Sequence, residues 1–215
     1  HNPEFTLLEW YRVNVDFYAI MRDVEDLLKY LQNIVQNSAL KNVSVERLHM
    51  KELWQEYVNV DLDDYLEKEK MAELCREKGY APEVDEAYEN LFYRVFLNEI
   101  EPHLAERGAV IIHHYPAQMA ALARLSKENS KYAERFEVYI NGIELANAFS
   151  ELTDATEQRR RLVEEQELRK KLGKDMFGID NEFVEAVGKM PECAGIALGV
   201  DRLVQVLTGC KNIDD

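Results

Sequence analysis

The sequence predicts an α+β fold: a largely antiparallel sheet flanked by helices, with one helical insertion. Three observations predict it. Runs of β-branched, aromatic and apolar residues recur toward both ends of the chain, as in "TLLEWYRVNV", "GAVIIHHYP" and "CAGIALGV". Asn141-Gly142 stands after one such run, "RFEVYI", and is a strong signal for a tight hairpin between antiparallel strands. Between about residues 44 and 107 the chain is instead charged, helical in pattern and poor in Gly.

The elements follow in order. Thr6 to Val15 reads as a strand, with Glu and Arg interleaved among apolar and aromatic residues. Asp16 is a suitable N-cap for a helix in which Phe17, Ile20, Met21, Val24, Leu27, Leu28 and Leu31 recur at helical spacing. From Ser44, through Arg47-Leu48, to about residue 107, the pattern predicts three or four helices, an excursion from the sheet suited to packing and partner contact. Gly108 to Pro116 reads as a buried strand. Phe136, Val138 and Ile140 alternate with Glu137 and Tyr139 in the next. A charged helix is expected from Asp154 to a stop at Gly173. The small-residue strand "CAGIALGV" then leads into a short helix with Asp201 at its start and Gly209 at its end.

At 215 residues the chain can bury one good-sized core. It contains no apolar run of membrane-spanning length. Cys75, Cys193 and Cys210 are odd in number and form no CxxC pair, which points away from a disulfide framework or zinc site and toward a reducing, cytoplasmic setting. His113 and His114 would point to opposite faces of a strand and so make a poor joint metal site. A net charge of −15 argues against gripping a phosphate backbone over the whole surface, but not against a local cationic pocket.

Three blocks could carry chemistry. The first is "HNPEFTLLEWYR", where Glu9 and Tyr11 share one face of a strand. A carboxylate and a phenol there suit a bound ammonium, although any half-solvated strand shows such alternation. The second is "GIELANAFSELTD". Glu144 and Glu151 are hard oxygen donors of the kind Mg²⁺ accepts beside nucleotide phosphates. Their odd spacing lets them converge only if the strand breaks or bulges near Ala146-Asn147-Ala148. Otherwise they are two solvated acids among 41. The third is "AGIALGVDRLVQVL". Gly195 and Gly199 would let a ligand approach the backbone, and Arg202 could clamp phosphate or stack on a base. The plainer alternative is a tight strand–helix corner with a surface arginine.

Taken in order, the three blocks resemble the catalytic domain of a class II aminoacyl-tRNA synthetase of the lysyl type. "HNPEF…E" is similar to the second half of motif 2, and "ALGVDRLV" to motif 3. "FTLLEWYR", "YPAQMAALA", "AERFEVYINGIELANAFSELTDA" and "GIALGVDRLV" more closely resemble the elongation factor P β-lysine ligase family. Trp10, Leu145-Ala146 and Ala197 are the telling positions; Ala197 stands where the tRNA enzymes usually carry glycine.

The resemblance implies a set of roles. His1 and Asn2 would contact ATP, with Phe5 stacked on one face of adenine and Arg202 on the other. Glu144 and Glu151 would bind Mg²⁺-ATP, with the Leu145 backbone beside the nucleotide. Glu9 and Tyr11 would hold the distal amine of a lysine-like substrate, Asn147 would lie near its carboxylate, and Ala197 and Gly199 would floor the pockets. Arg202 and Glu151 would carry the adenylation step. Lysine or (R)-β-lysine would be activated as an acyl-adenylate and passed to a lysine of elongation factor P. The alternatives are a lysyl-tRNA synthetase core acting on tRNA-Lys, or a non-catalytic nucleotide-binding paralogue. The family also implies a homodimer.

Departures from the family pattern raise their own expectations. Ala148 stands where glycine is usual, so it would be strained if that position needed φ > 0, and its methyl would narrow the site. Ser150 matches the tRNA enzymes rather than the ligases. Motif 1 and the first half of motif 2, with its phosphate-binding arginine, have no counterpart in these residues. Residues 1–215 are thus expected to form a partial catalytic domain from a longer protein, inactive alone.

Overall fold

A computed structural model describes residues 4–35 and 44–213. Its centre is a six-stranded sheet in the order β1-β6-β5-β4-β3-β2. The strands are β1 (Leu7–Val13), β2 (Val45–His49), β3 (Ala109–Pro116), β4 (Tyr132–Ile140), β5 (Ile143–Ser150) and β6 (Cys193–Gly199). Every pairing is antiparallel except that of β2 with β3. The β4–β5 turn uses Asn141 and Gly142, both at positive φ, the conformation a tight hairpin demands.

Helix α1 (Phe17–Ile34) covers one face. Asp16 Oδ1 caps it by accepting from the N–H groups of Tyr18 and Ala19 at 3.1 and 3.3 Å. The Phe17 N–H donates to Ser150 Oγ at 2.9 Å, so a fully buried hydroxyl at the end of β5 anchors the helix start. Phe17, Ile20, Val24 and Leu28 then pack on Ile111, Phe136, Val138, Ala146, Ala148 and Ile196. Helix α8 (Val200–Thr208) adds Val206 to the same core.

The opposite face is shared. Helices α2 (Met50–Leu53), α3 (Lys68–Glu77), α4 (Tyr88–Val95) and α5 (Glu101–Leu104), with π-helical turns at Trp54–Val58 and Phe96–Ile100, cover its β3–β4 end. Their core closes over Val110, Ile112, Tyr115, Tyr132 and Tyr139. Helices α6 (Ala155–Lys171) and α7 (Asn181–Val187) lie between β5 and β6 in sequence. Much of β1, β6 and β5 on this face stays open.

Three details differ from the sequence expectation. Val45–His49, which the pattern reads as helix, is a strand. Val45 joins the α1 core and Leu48 the helical one, and so short a run is too brief for periodicity to discriminate. The stretch from 44 to 107 therefore supplies the sheet with an edge strand as well as helices. His113 and His114 do not point apart. A bulge between His113 and Tyr115, with His114 at φ 61°, brings their Nδ1 atoms to 2.6 Å, and His49 stacks on His114. Ala148 carries no positive φ; it is an extended, fully buried residue between Phe136 and Ile196, its methyl on the α1 side rather than in the site.

Candidate active site

Strand register decides which side chains share the open face. Glu9 pairs with Ala197, Ala197 with Asn147, and Asn147 with Glu137. Two residues along, Tyr11 pairs with Gly195, Gly195 with Phe149, and Phe149 with Arg135. Two parallel rows thus cross four strands on one surface.

Glu144 reaches that surface through a bulge. Val138 pairs with Ala146 but Tyr139 pairs with Glu144, which leaves Leu145 as the extra residue. Leu145 and Ala146 both enter the α1 core, so Glu144 lands on the side of Asn147. The bulge lies just before the stretch in which the spacing argument placed it.

The middle of the face is held by a buried network that the sequence reading overlooks. Arg135 Nε donates to Asn147 Oδ1 at 3.1 Å, Nη1 to the Met119 carbonyl at 2.9 Å and Nη2 to Glu137 Oε1 at 2.6 Å. Glu137 Oε2 accepts from the hydroxyls of Tyr115 and Tyr139 at 2.6 and 2.8 Å. The guanidinium also stacks over the Tyr115 ring. Glu137 is 4% exposed. A charge buried so deeply survives only when paired and hydrogen-bonded throughout. The alternation of Arg135, Glu137 and Tyr139 in an otherwise apolar strand was the available signal.

At one end of this face is a cleft of about 560 Å³, lined by Phe5, Glu144, Leu145, Asn147, Ala197, Gly199 and Arg202 among others. This volume lies in the range of nucleotide and small-ligand sites. Arg202 Nη1 donates to the Glu144 carbonyl at 2.6 Å and stands 3.7 Å from its carboxylate. The Thr6 N–H donates to Asp201 Oδ2 at 2.7 Å, which fixes Phe5 at the same mouth as Arg202. The Glu144 carboxyl is raised, first by burial and then by the negative charge of Glu137; Arg202 and Arg135 oppose the shift. Glu144 is the hard oxygen donor in the cleft that could hold a divalent cation; both oxygens of Glu137 are taken by Arg135, Tyr115 and Tyr139. Among the described residues no cluster of three or more side-chain ligands forms, so the remaining positions would fall to ligand oxygens or water.

The other end holds Tyr11 and Glu151. An atom built as Cβ on Gly195 would touch the Tyr11 ring and lie 3.0 Å from Glu151 Oε1, so the two side chains meet above that glycine. Burial pushes the Glu151 carboxyl up to about 7. The Tyr11 phenol is raised by burial, then by Glu151 and Glu9. The bulge thus puts Glu151 on the same face as Glu144, as the spacing argument required, but not within reach of the same ion. The two residues are separated along β5 by roughly 20 Å at ordinary strand rise, far beyond the reach of two glutamates toward one ion. His1 and Asn2 lie outside the described residues. The remaining predicted residues, Phe5, Glu9, Tyr11, Glu144, Leu145, Asn147, Ala197, Gly199 and Arg202, line the cleft or the rows beside it.

The sheet, antiparallel but for its β2 edge, thus carries a nucleotide-sized cleft between a strand–helix arginine and an exposed phenylalanine. The family model described as "tRNA synthetases class II (D, K and N)" matches residues 1–215, and the chain belongs to that family. Within it, the chain is similar to proteins named elongation factor P–(R)-β-lysine ligase. It is 40% identical to that of Photorhabdus laumondii over 218 residues, 38% to that of Proteus mirabilis and 39% to that of Avibacterium paragallinarum. In each case all of this chain is covered; it spans 64% of the length of these relatives.

Proposed function

We propose that the protein is an ATP-dependent ligase that activates lysine or (R)-β-lysine as an acyl-adenylate and transfers it to a lysine of elongation factor P. The observation that carries this reading is the placement, on one sheet face, of an arginine-lined cleft and an amine clamp separated by the Ala197–Asn147 row. One register step of two residues is about 6.6 Å, close to the span of an extended lysine side chain.

Glu151, Glu9 and Tyr11 bind the distal ammonium: the carboxylates supply charge and the phenol oxygen accepts a hydrogen bond. Asn147, clamped by Arg135, orients the substrate carboxylate beneath the nucleotide. Phe5 and Arg202 sandwich the base. Glu144 would hold Mg²⁺, which would neutralise phosphate charge when bound. The carboxylate oxygen attacks the α-phosphorus in line and pyrophosphate leaves. An acceptor ε-amine then attacks the activated carbonyl, loses a proton and releases AMP. Both steps depend mainly on position and charge stabilisation.

A protein acceptor is favoured over tRNA by the net charge of −15, because a tRNA binder needs a basic face. Ser150, the residue shared with the tRNA enzymes, anchors α1 from the opposite face and does not discriminate. The test offers the full-length protein ATP and labelled (R)-β-lysine with elongation factor P and tRNA-Lys side by side. Label on the protein acceptor is expected; label on tRNA alone sinks the reading.

A further inference from the structure

Gly195 is a buried residue in the middle of β6, on the floor of the open face. Its backbone is not among the positive-φ glycines, so no turn or left-handed conformation explains the absence of a side chain. Space explains it. A Cβ there would collide with two carbons of the Tyr11 ring, Cε1 and Cδ1, the latter at 2.5 Å, a distance that real methyl carbons do not show. The same Cβ would lie 3.0 Å from Glu151 Oε1. One face of the Tyr11 ring thus rests on bare backbone while the residue as a whole stays 61% exposed. Gly199, two rows away, is different: its nearest neighbour would be the Leu145 carbonyl oxygen at 3.6 Å, an ordinary contact.

We infer that Gly195 is a positioning residue, the seat of the Tyr11 ring, and that this seat sets the separation of the Tyr11 hydroxyl and the Glu151 carboxylate around a bound ammonium. The inference rests on the ligase reading for the identity of the ammonium, but not for the seat. A methyl at 195 cannot be met by a small adjustment of the ring. The ring would have to lift from the floor and carry its hydroxyl away from Glu151. The carboxylate, at the end of a flexible chain, can give by a few tenths of an ångström. Gly195 therefore acts through Tyr11 first. Gly195 thus does not bare the backbone to a ligand, as its size suggests, because the protein's own tyrosine fills that space.

The test is a double-mutant cycle of Gly195→Ala and Tyr11→Ala in the full-length protein, read in two ways. By thermal melting, Gly195→Ala lowers Tm in the parent but leaves it unchanged or raises it in the Tyr11→Ala background, where the ring is gone. This arm needs no substrate. By ATP–pyrophosphate exchange, Gly195→Ala raises KM for the diamino acid at least tenfold with KM for ATP within twofold, and adds nothing further to Tyr11→Ala. Equal Tm losses in both backgrounds, or failure of the double variant to fold, overturn the seat. An unchanged diamino acid KM overturns its role in the clamp. Exchange with neither lysine nor (R)-β-lysine in the parent overturns the ligase reading, and the melting cycle then decides the seat alone.

Discussion

Arg202 donates to the main-chain carbonyl of Glu144 at 2.6 Å while its guanidinium stays within 3.7 Å of the Glu144 carboxylate. The arginine of α8 is thereby held across the cleft by the residue that offers its acid to the same space. A side chain so tethered is already placed before any ligand arrives, the condition under which electrostatic stabilisation costs no reorganisation.

Replacement of Arg202 by Ala should cut ATP–pyrophosphate exchange by 10²–10³-fold, about 3–4 kcal/mol in the transition state. Arg202→Lys should recover little, because an ammonium neither stacks on a base nor keeps the planar fork. Steady-state exchange kinetics check both; a lysine variant with parental rates would mean that charge alone suffices.

Glu151 gives a pH signature. Burial raises its folded-state carboxyl to about 7, so below that pH it is protonated and cannot pair with an ammonium. Affinity for the diamino acid should rise as pH climbs through about 7, and Glu151→Gln should flatten this dependence while weakening binding. Stability runs the other way. The raised value makes ionisation a cost to the folded state that is absent below the unfolded pKa and complete above about 7. The Gln variant should therefore gain in Tm relative to the parent between pH 5 and pH 8.

Arg135→Met should destabilise the fold by about 3–5 kcal/mol, since it strands the Glu137 charge in the interior. Denaturant titration measures the loss. Replacing both partners with apolar residues should recover much of the stability and none of the activity, because Asn147 would still lack its clamp.

Gly199→Ala makes a contrast with Gly195. Its methyl would meet only ordinary contacts, so Tm should hold within about a degree, the modest shift expected of a surface-like change. KM for ATP should nevertheless rise, because the cleft floor is where a nucleotide comes close. Unchanged KM would place the nucleotide away from β6.

Ala148→Gly should lower stability by about 1 kcal/mol, through lost packing on α1 and added chain entropy. A gain in stability would indicate strain that the extended backbone does not carry.

Much of this was legible in the sequence because the signals were local. Asp16, Asn141-Gly142, Asp154 and Gly209 mark element ends by their own backbone chemistry, and the structure places caps or turns at each. Register was not local. Only pairing across four strands reveals that Glu137 lies beside Asn147 and that Glu151 sits with Tyr11 instead of Glu144. The five-residue strand β2 was hidden for a related reason. Its stability comes from the neighbouring edge of β3, which no window centred on Val45–His49 contains.

The bulge at Leu145 has a consequence for how this chain can vary. A strand has a parity, and one surplus residue reverses it. Removing Leu145 would restore plain alternation and leave Glu144 opposite Tyr139, still on the side of Asn147, whereas ironing out the bulge with Leu145 kept would turn Glu144 toward α1. The acid therefore owes its place to the backbone between it and Ala146 as much as to its own identity, and a homologue one residue shorter there would keep the same acid on the same face with no bulge at all.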